Sequence, residues 1–206
     1  MTETIIQKVN QYYSEKITAF GATPRGVDWN SIESQEVRFY QLLKVISTEN
    51  FDILDYGSGY GALYEFLRRN YSVNFHYTGF DLSPKMIQHA IEIYPANENV
   101  SWVSSLKENQ TFDFIIASGI FNVKLDIENQ AWEEYILDTI NQINKLSKKG
   151  FAFNMLTNYS DKERRQEKLY YASPEEIFAF CKKNFSKNVA LLHDYNLYEF
   201  TIIVRK

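Results

Sequence analysis

Ile53-Leu54-Asp55-Tyr56-Gly57-Ser58-Gly59-Tyr60-Gly61 is the stretch that decides the fold. An apolar pair running into an aspartate reads as the end of a β-strand, and three of the chain's eight glycines follow within five residues. Ala62 then opens a segment with helical spacing, Ala62–Asn70. Glycine reaches positive φ and carries no Cβ to hold a ligand off the backbone, so strand, glycine loop and helix in this order suit a nucleoside cofactor at the edge of an α/β sheet. The competing reading is a tight strand-to-helix turn. Asp81 weighs against it: it closes Tyr77-Thr78-Gly79-Phe80-Asp81 twenty residues past Gly61. A carboxylate at the tip of a neighbouring strand can accept the two ribose hydroxyls of a cofactor lying across the sheet edge. It could equally serve as the acid before a helix start at Ser83.

Outward from the loop, β-rich runs recur at Phe51–Tyr56, Asn74–Phe80, Val100–Val103, Phe112–Ser118 and Gly150–Leu156. Segments with helical spacing or helix-start signals separate most of them, which predicts a parallel sheet with crossover helices. Ser83-Pro84 and Ser173-Pro174 each set a capping hydroxyl before a proline, and Ser173 with Glu176 completes a capping box. Further helices are read at Glu33–Ser47 and Gln130–Leu146, the latter stopped at Ser147-Lys148-Lys149-Gly150. Asn188–His193 and Tyr198–Val204 read as a terminal hairpin around Asp194–Leu197. That makes the last strand antiparallel and puts the hairpin turn on the carboxyl edge, where open α/β sheets bind their ligands.

The chain has 206 residues, 45% of them hydrophobic and 16% aromatic, which suits a single domain over 1–206. Within it, 1–48 reads as an N-terminal helical lid, 51–156 as the cofactor-binding core, and 157–206 as a substrate-side segment with the hairpin. Lys and Arg number 22 against 26 Asp and Glu, a net charge of -4, so a nucleic-acid partner is not expected. Apolar runs such as Phe114–Ala117 are far too short to span a bilayer, and Met1–Asn10 lacks a basic start with an apolar core; no membrane partner is expected. The one cysteine, Cys181, forms no internal disulfide or thiolate cage, and a cytoplasmic location fits. No metal is implied, since neither a histidine pair at ligand spacing nor a carboxylate cluster stands out.

Asp55-x-Gly57-x-Gly59-x-Gly61, Gly79-Phe80-Asp81-Leu82-Ser83-Pro84-Lys85-Met86, Phe112-Asp113-Phe114-Ile115-Ile116-Ala117-Ser118-Gly119 and the closing hairpin together resemble the class I S-adenosylmethionine-dependent methyltransferases over nearly the whole chain. The resemblance implies a Rossmann-like α/β fold: a seven-stranded, mostly parallel sheet with an antiparallel last strand and helices on both faces. It implies S-adenosyl-L-methionine as cofactor and S-adenosyl-L-homocysteine as product. Asp55, Gly57, Ser58, Gly59 and Gly61 would hold the methionine portion and Asp81 the ribose. Leu82 and Met86 are candidate apolar cover for adenine, and Ser118, at the end of the fourth strand, is a further candidate cofactor contact. Where the family places an acid after the third strand, this chain has Ser104 and then Ser105, so a hydroxyl or backbone carbonyl would replace it. Two alternatives remain: a nicotinamide-dependent oxidoreductase, since Gly57-x-Gly59-x-x-Ala62 meets the loose dinucleotide pattern, and a catalytically silent S-adenosylmethionine-binding protein.

The acceptor is expected to be a small molecule, methylated at oxygen. The strand end Ser118-Gly119-Ile120-Phe121-Asn122 lacks the Asp/Asn-Pro-Pro-Tyr signature of amino methyltransferases acting on nucleobases or glutamine, and Cys181 lies far from the cofactor strands. His193, in the hairpin turn with Tyr195, is the candidate base; His76 reads as structural and His89 as surface. Arg38 shares a helix face with Gln35 and could hold the cofactor's carboxylate. Tyr13 and Trp29 are candidate lid residues, and together with Phe121, Tyr159, Arg164 and Tyr195 they are candidate acceptor contacts. The segments Gly26–Ser31 and Ser34–Phe39 resemble those of bacterial methyltransferases linked to surface polysaccharide, which points to a sugar, carboxylate or phosphoramidate acceptor.

Overall fold

The computed structural model describes residues 2–29 and 31–206, with Asn30 at the end of the turn-rich stretch outside the description. Seven strands form one sheet in the order β3-β2-β1-β4-β5-β7-β6. They are β1 (Asn50–Tyr56), β2 (Asn74–Phe80), β3 (Val100–Val103), β4 (Phe112–Ala117), β5 (Ser147–Leu156), β6 (Asn188–Leu192) and β7 (Glu199–Arg205). The first five pair in parallel, and β7 runs antiparallel to both β5 and β6. Six helices accompany them: α1 (Thr2–Phe20), α2 (Ile32–Leu42), α3 (Ala62–Asn70), α4 (Pro84–Ile93), α5 (Asn129–Leu146) and α6 (Pro174–Asn184). This is the Rossmann-like methyltransferase architecture that the sequence predicts.

Both sheet faces are buried, which explains why the central strands read as unbroken apolar runs rather than alternating ones. Along β4, Phe114 and Ile116 face a core shared with Phe39 of α2 and Phe66 of α3, whereas Ile115 and Ala117 face one shared with Trp132, Ile136 and Ile140 of α5. Ile53 and Leu54 of β1 divide between the faces in the same way. With its faces covered, the sheet offers a ligand its strand ends, and the order in which strands are added reverses between β1 and β4. The crevice at that switch point is where such sheets bind ligands.

Two boundaries and one helix cap differ from the sequence reading. The helix expected over Glu33–Ser47 ends at Leu42 and tightens into a 3-10 turn, Leu43–Val45. The tightening turns Leu42, Leu43 and Val45 inward together, each at most 2% exposed, where a regular helix would splay them. β5 starts at Ser147, in the predicted helix stop, because Ser147 pairs with Phe112 across a register shift. At Ser173 the hydroxyl accepts the Glu176 amide at 3.3 Å, but it donates to the Glu175 carboxylate at 3.2 Å. Among the described residues, no helix is long and apolar enough to cross a membrane.

Behind the glycine loop, Gly79 lies under the Trp102 ring: a Cβ there would meet Cε3 and Cζ3 at 2.2 and 2.3 Å. Trp102 is anchored by its indole N–H, which donates to the Tyr94 carbonyl at 2.8 Å, so it gives way poorly. Gly79→Ala is therefore expected to destabilise the fold by about 1–3 kcal/mol, the usual cost of overpacking, read as a lower urea midpoint with an unchanged slope.

Candidate functional site

The loop between β1 and α3 is shaped by its backbone. The amides of Gly57 and Ser58 both donate to the Phe80 carbonyl, at 2.8 and 2.9 Å, and tie the loop to the end of β2. Gly57 has φ of 86°, and a Cβ on it would lie 2.3 Å from Cγ2 of Ile120, in the segment after β4. Only glycine satisfies both the left-handed backbone and that approach.

Two carboxylates flank the loop. Asp55 is 2% exposed and accepts a 2.5 Å hydrogen bond from the Tyr77 hydroxyl. Burial pushes its carboxyl up to about 7 against that bond, and the neighbouring Asp81 adds to the rise. Asp81 accepts from the Gly59 amide at 2.9 Å and from the Ser83 amide at 2.8 Å. Burial still raises it to about 6, with the two amides opposing. Between the carboxylates lies a cavity lined by the loop, by Leu82 and Met86 after β2, by Ser118, Gly119 and Ile120 after β4, and by Tyr13 and Trp29 from the N-terminal segment.

The hydroxyls of Ser58 and Ser118 are buried in this wall without a hydrogen-bond partner. A buried unpaired hydroxyl is costly and calls for a polar ligand. Two such donors, an acid at each strand tip and apolar cover from Leu82 and Met86 fit a nucleoside with a charged, amino-acid-like arm.

Of the residues singled out from sequence, Asp55, Gly57, Ser58, Gly59, Asp81, Leu82, Met86, Ser118, Tyr13 and Trp29 meet in this cavity. Gly61 stands just behind them at the start of α3, against Trp102. The others lie elsewhere. Ser104 and Ser105 are exposed past the end of β3. Phe121 is fully buried in the core, edge-on to Phe153. Arg38 is sealed behind the wall in an ion pair with Glu199. His193 is exposed 6.1 Å from the Tyr159 ring; Tyr159 in turn donates to Glu175. Arg164 lies near Asp161 and over Tyr198, and Tyr195 bonds Thr201 within the hairpin.

The wall also includes Gln35, Tyr135, Ile120 and Val9. Gln35 was within reach of sequence reasoning, since its helix face was already marked. Tyr135 carries no local signal: it sits in an ordinary amphipathic helix, and the packing of α5 under the sheet delivers it.

Carboxyls raised by burial keep their protons in the folded state at a pH where the unfolded chain has released them. Stability from Asp55 and Asp81 is therefore fully present below about pH 4 and is lost as pH rises toward 7. Urea midpoints of the ligand-free protein measured from pH 4 to 8 should show that fall, and Asp81→Asn should flatten it relative to wild type.

A sheet in which β7 alone among the core-pairing strands is reversed, with a glycine loop and two strand-tip acids at its switch point, defines the class I methyltransferase fold. A methyltransferase-domain family model matches residues 7–197, and the chain belongs to that family. It is 43% identical over 163 residues to Rv1506c of Mycobacterium tuberculosis (strain ATCC 25618 / H37Rv), whose name specifies methyltransferase and no acceptor; the match covers 79% of this chain and 97% of that one. Human N-acetylserotonin methyltransferase, crystallised with S-adenosylmethionine, superposes with a TM-score of 0.65 at 15% identity, over 100% of this chain and 60% of the human one. The N-methyltransferase NodS of Bradyrhizobium japonicum WM9, crystallised with S-adenosyl-L-homocysteine, gives 0.63 at 14% identity, over 96% of this chain and 98% of that one.

Proposed function

We propose that this methyltransferase uses S-adenosyl-L-methionine to methylate an oxygen of a small-molecule acceptor, releasing S-adenosyl-L-homocysteine. The pair of unpartnered hydroxyls, Ser58 and Ser118, in a cavity flanked by Asp55 and Asp81 carries this reading. Solved structural neighbours crystallised with S-adenosylmethionine or S-adenosylhomocysteine support it.

The bound sulfonium supplies an electrophilic methyl group, and transfer discharges its positive charge. The chain's own task is alignment. Asp81, pinned by the Gly59 and Ser83 amides, keeps a fixed carboxylate for the ribose hydroxyls. Asp55, with the Ser58 hydroxyl, serves the charged methionine arm, and the bare backbone at Gly57 and Gly59 lets that arm approach. Leu82 and Met86 cover adenine. Tyr13 and Trp29 close the cavity from the N-terminal lid and exclude water.

The described cavity wall contains no histidine, lysine or arginine, so an acceptor that arrives ionised needs least from it. A carboxylate or acidic phosphoramidate on a sugar meets that condition. The exposed side chains of Tyr159, Arg164 and His193, with the half-buried Tyr195 beside them in the hairpin, would receive its outer part, with Arg164 as the guanidinium for an anion.

Calorimetric titration with S-adenosylmethionine, S-adenosylhomocysteine, NAD and NADH tests the reading. Wild type should bind the two sulfur compounds, and Asp81→Ala should weaken both by at least about 30-fold, or about 2 kcal/mol, for the charge-assisted hydrogen bonds lost. Binding of NADH instead would overturn the reading in favour of an oxidoreductase. Cofactor affinity without turnover on sugar, carboxylate and phosphoramidate acceptors would point to a binding-only protein.

A cationic ligand held beside Asp55 favours its ionised form, lowering the carboxyl from about 7. Binding of S-adenosylmethionine should then release protons between about pH 6 and 7 and tighten as pH rises through that range, measurable from the dependence of binding heat on buffer ionisation enthalpy.

A further inference from the structure

Behind the cavity wall runs a closed circuit of contacts that the reaction itself does not require. The Arg38 guanidinium lies 4.0 Å from the centre of the Trp29 ring. It makes a two-pronged pair with Glu199, Nε to Oε2 at 2.9 Å and Nη2 to Oε1 at 2.6 Å, and a third bond to the Ser34 carbonyl at 2.5 Å. Glu199 also accepts from the Asn154 amide group, and Asn154 accepts the Gly119 backbone N–H at 2.9 Å. The circuit closes because Trp29 lies on Gly119, where an added Cβ would fall 2.4 Å from ring atom Cζ2. Trp29 and Gly119 both line the cavity, whereas Arg38, Glu199 and Asn154 are buried behind it.

A buried ion pair adds little net stability over apolar side chains of the same volume, since desolvation offsets the attraction. What it does impose is geometry: a planar fork holds the carboxylate along its N–H edge in one arrangement, and its flat face is then the shelf for the Trp29 indole. We infer that Arg38 and Glu199 are positioning residues of the ligand cavity, holding Trp29 against Gly119 from one side and, through Asn154, fixing the Gly119 peptide from the other. The pair touches no ligand; it sets the shape of the wall that does. Arg38 is therefore already committed to a protein carboxylate and is not free to take a cofactor's.

The cofactor arm of the test rests on the proposed function, so a second, ligand-free arm keeps the two separable. Wild type, Arg38→Lys and the paired apolar replacement Arg38→Met with Glu199→Leu are compared by S-adenosylhomocysteine titration, by hydrogen exchange of the backbone over 117–123, and by urea unfolding. Lysine keeps the charge and a single bond to Glu199 but offers no flat face to Trp29. Expected for Arg38→Lys is about tenfold weaker binding, the scale of coupling between linked sites, with faster exchange at Gly119 and a urea midpoint within the range of ordinary surface variants. The paired variant should repeat this pattern without an unpaired buried charge; if it fails to fold, Arg38→Lys alone decides. Unchanged affinity and unchanged Gly119 exchange in Arg38→Lys would overturn the inference. Absence of binding by wild type would sink the proposed function while the exchange comparison still decides this one.

Discussion

A half-buried carboxylate at the tip of β2 is the constraint around which the cavity is built. Asp81 is less hydrated there than on the open surface, and backbone N–H groups make up the difference. The Gly59 amide supplies one and the Ser83 amide the other. The first fixes the glycine loop against β2; the second fixes the entry to α4, whose Ser83 hydroxyl then caps the helix through the Met86 amide and meets Ser14 of α1 at 2.8 Å. One half-buried side chain thus ties together the loop, the start of a helix and the N-terminal helix that overlies them.

The acid at β1 is handled differently. Asp55 has a tyrosine hydroxyl rather than amides, and its proton is correspondingly easier to retain. Two neighbouring acids with different partners make a graded electrostatic floor: Asp81 prepared as an acceptor, Asp55 poised to respond to the charge of whatever lies above it. Tyr77, the partner of Asp55, belongs to the same strand that ends in Asp81, so both acids are set by the register of β1 on β2.

The sheet was legible from sequence because both of its faces are buried and its strands alternate with well-capped helices. Ser83-Pro84 and Ser173-Pro174 announce their helices locally, and the glycine cluster marks the loop without tertiary help. What escaped were features decided by distant partners. The early start of β5 follows from its pairing with Phe112, and the 3-10 turn after Leu42 from which neighbours the leucines must reach. The cavity wall was largely readable because many of its residues sit at strand ends, where position in the element dictates exposure to the crevice. Arg38 and Phe121 show the limit: each lies close in sequence to the wall, but side-chain direction turns one onto Glu199 and the other into the core. Sequence spacing states which helix face a residue shares, and only packing states what that face meets.

The Arg38–Glu199 contact spans 161 residues, and β7, which supplies Glu199, is inserted between β5 and β6 rather than added at an edge. As the chain emerges from a ribosome, β1 to β5 can assemble in order while the flank of β5 remains bare and Arg38 has no counter-charge. The wall behind Trp29 becomes complete only after residue 199 has been synthesised and threaded beside β5. Long-range pairing of this kind is slow to nucleate and leaves a strand edge exposed meanwhile. The cavity wall behind Trp29 therefore depends on the seating of β7 beside β5 as well as on the parallel half of the sheet.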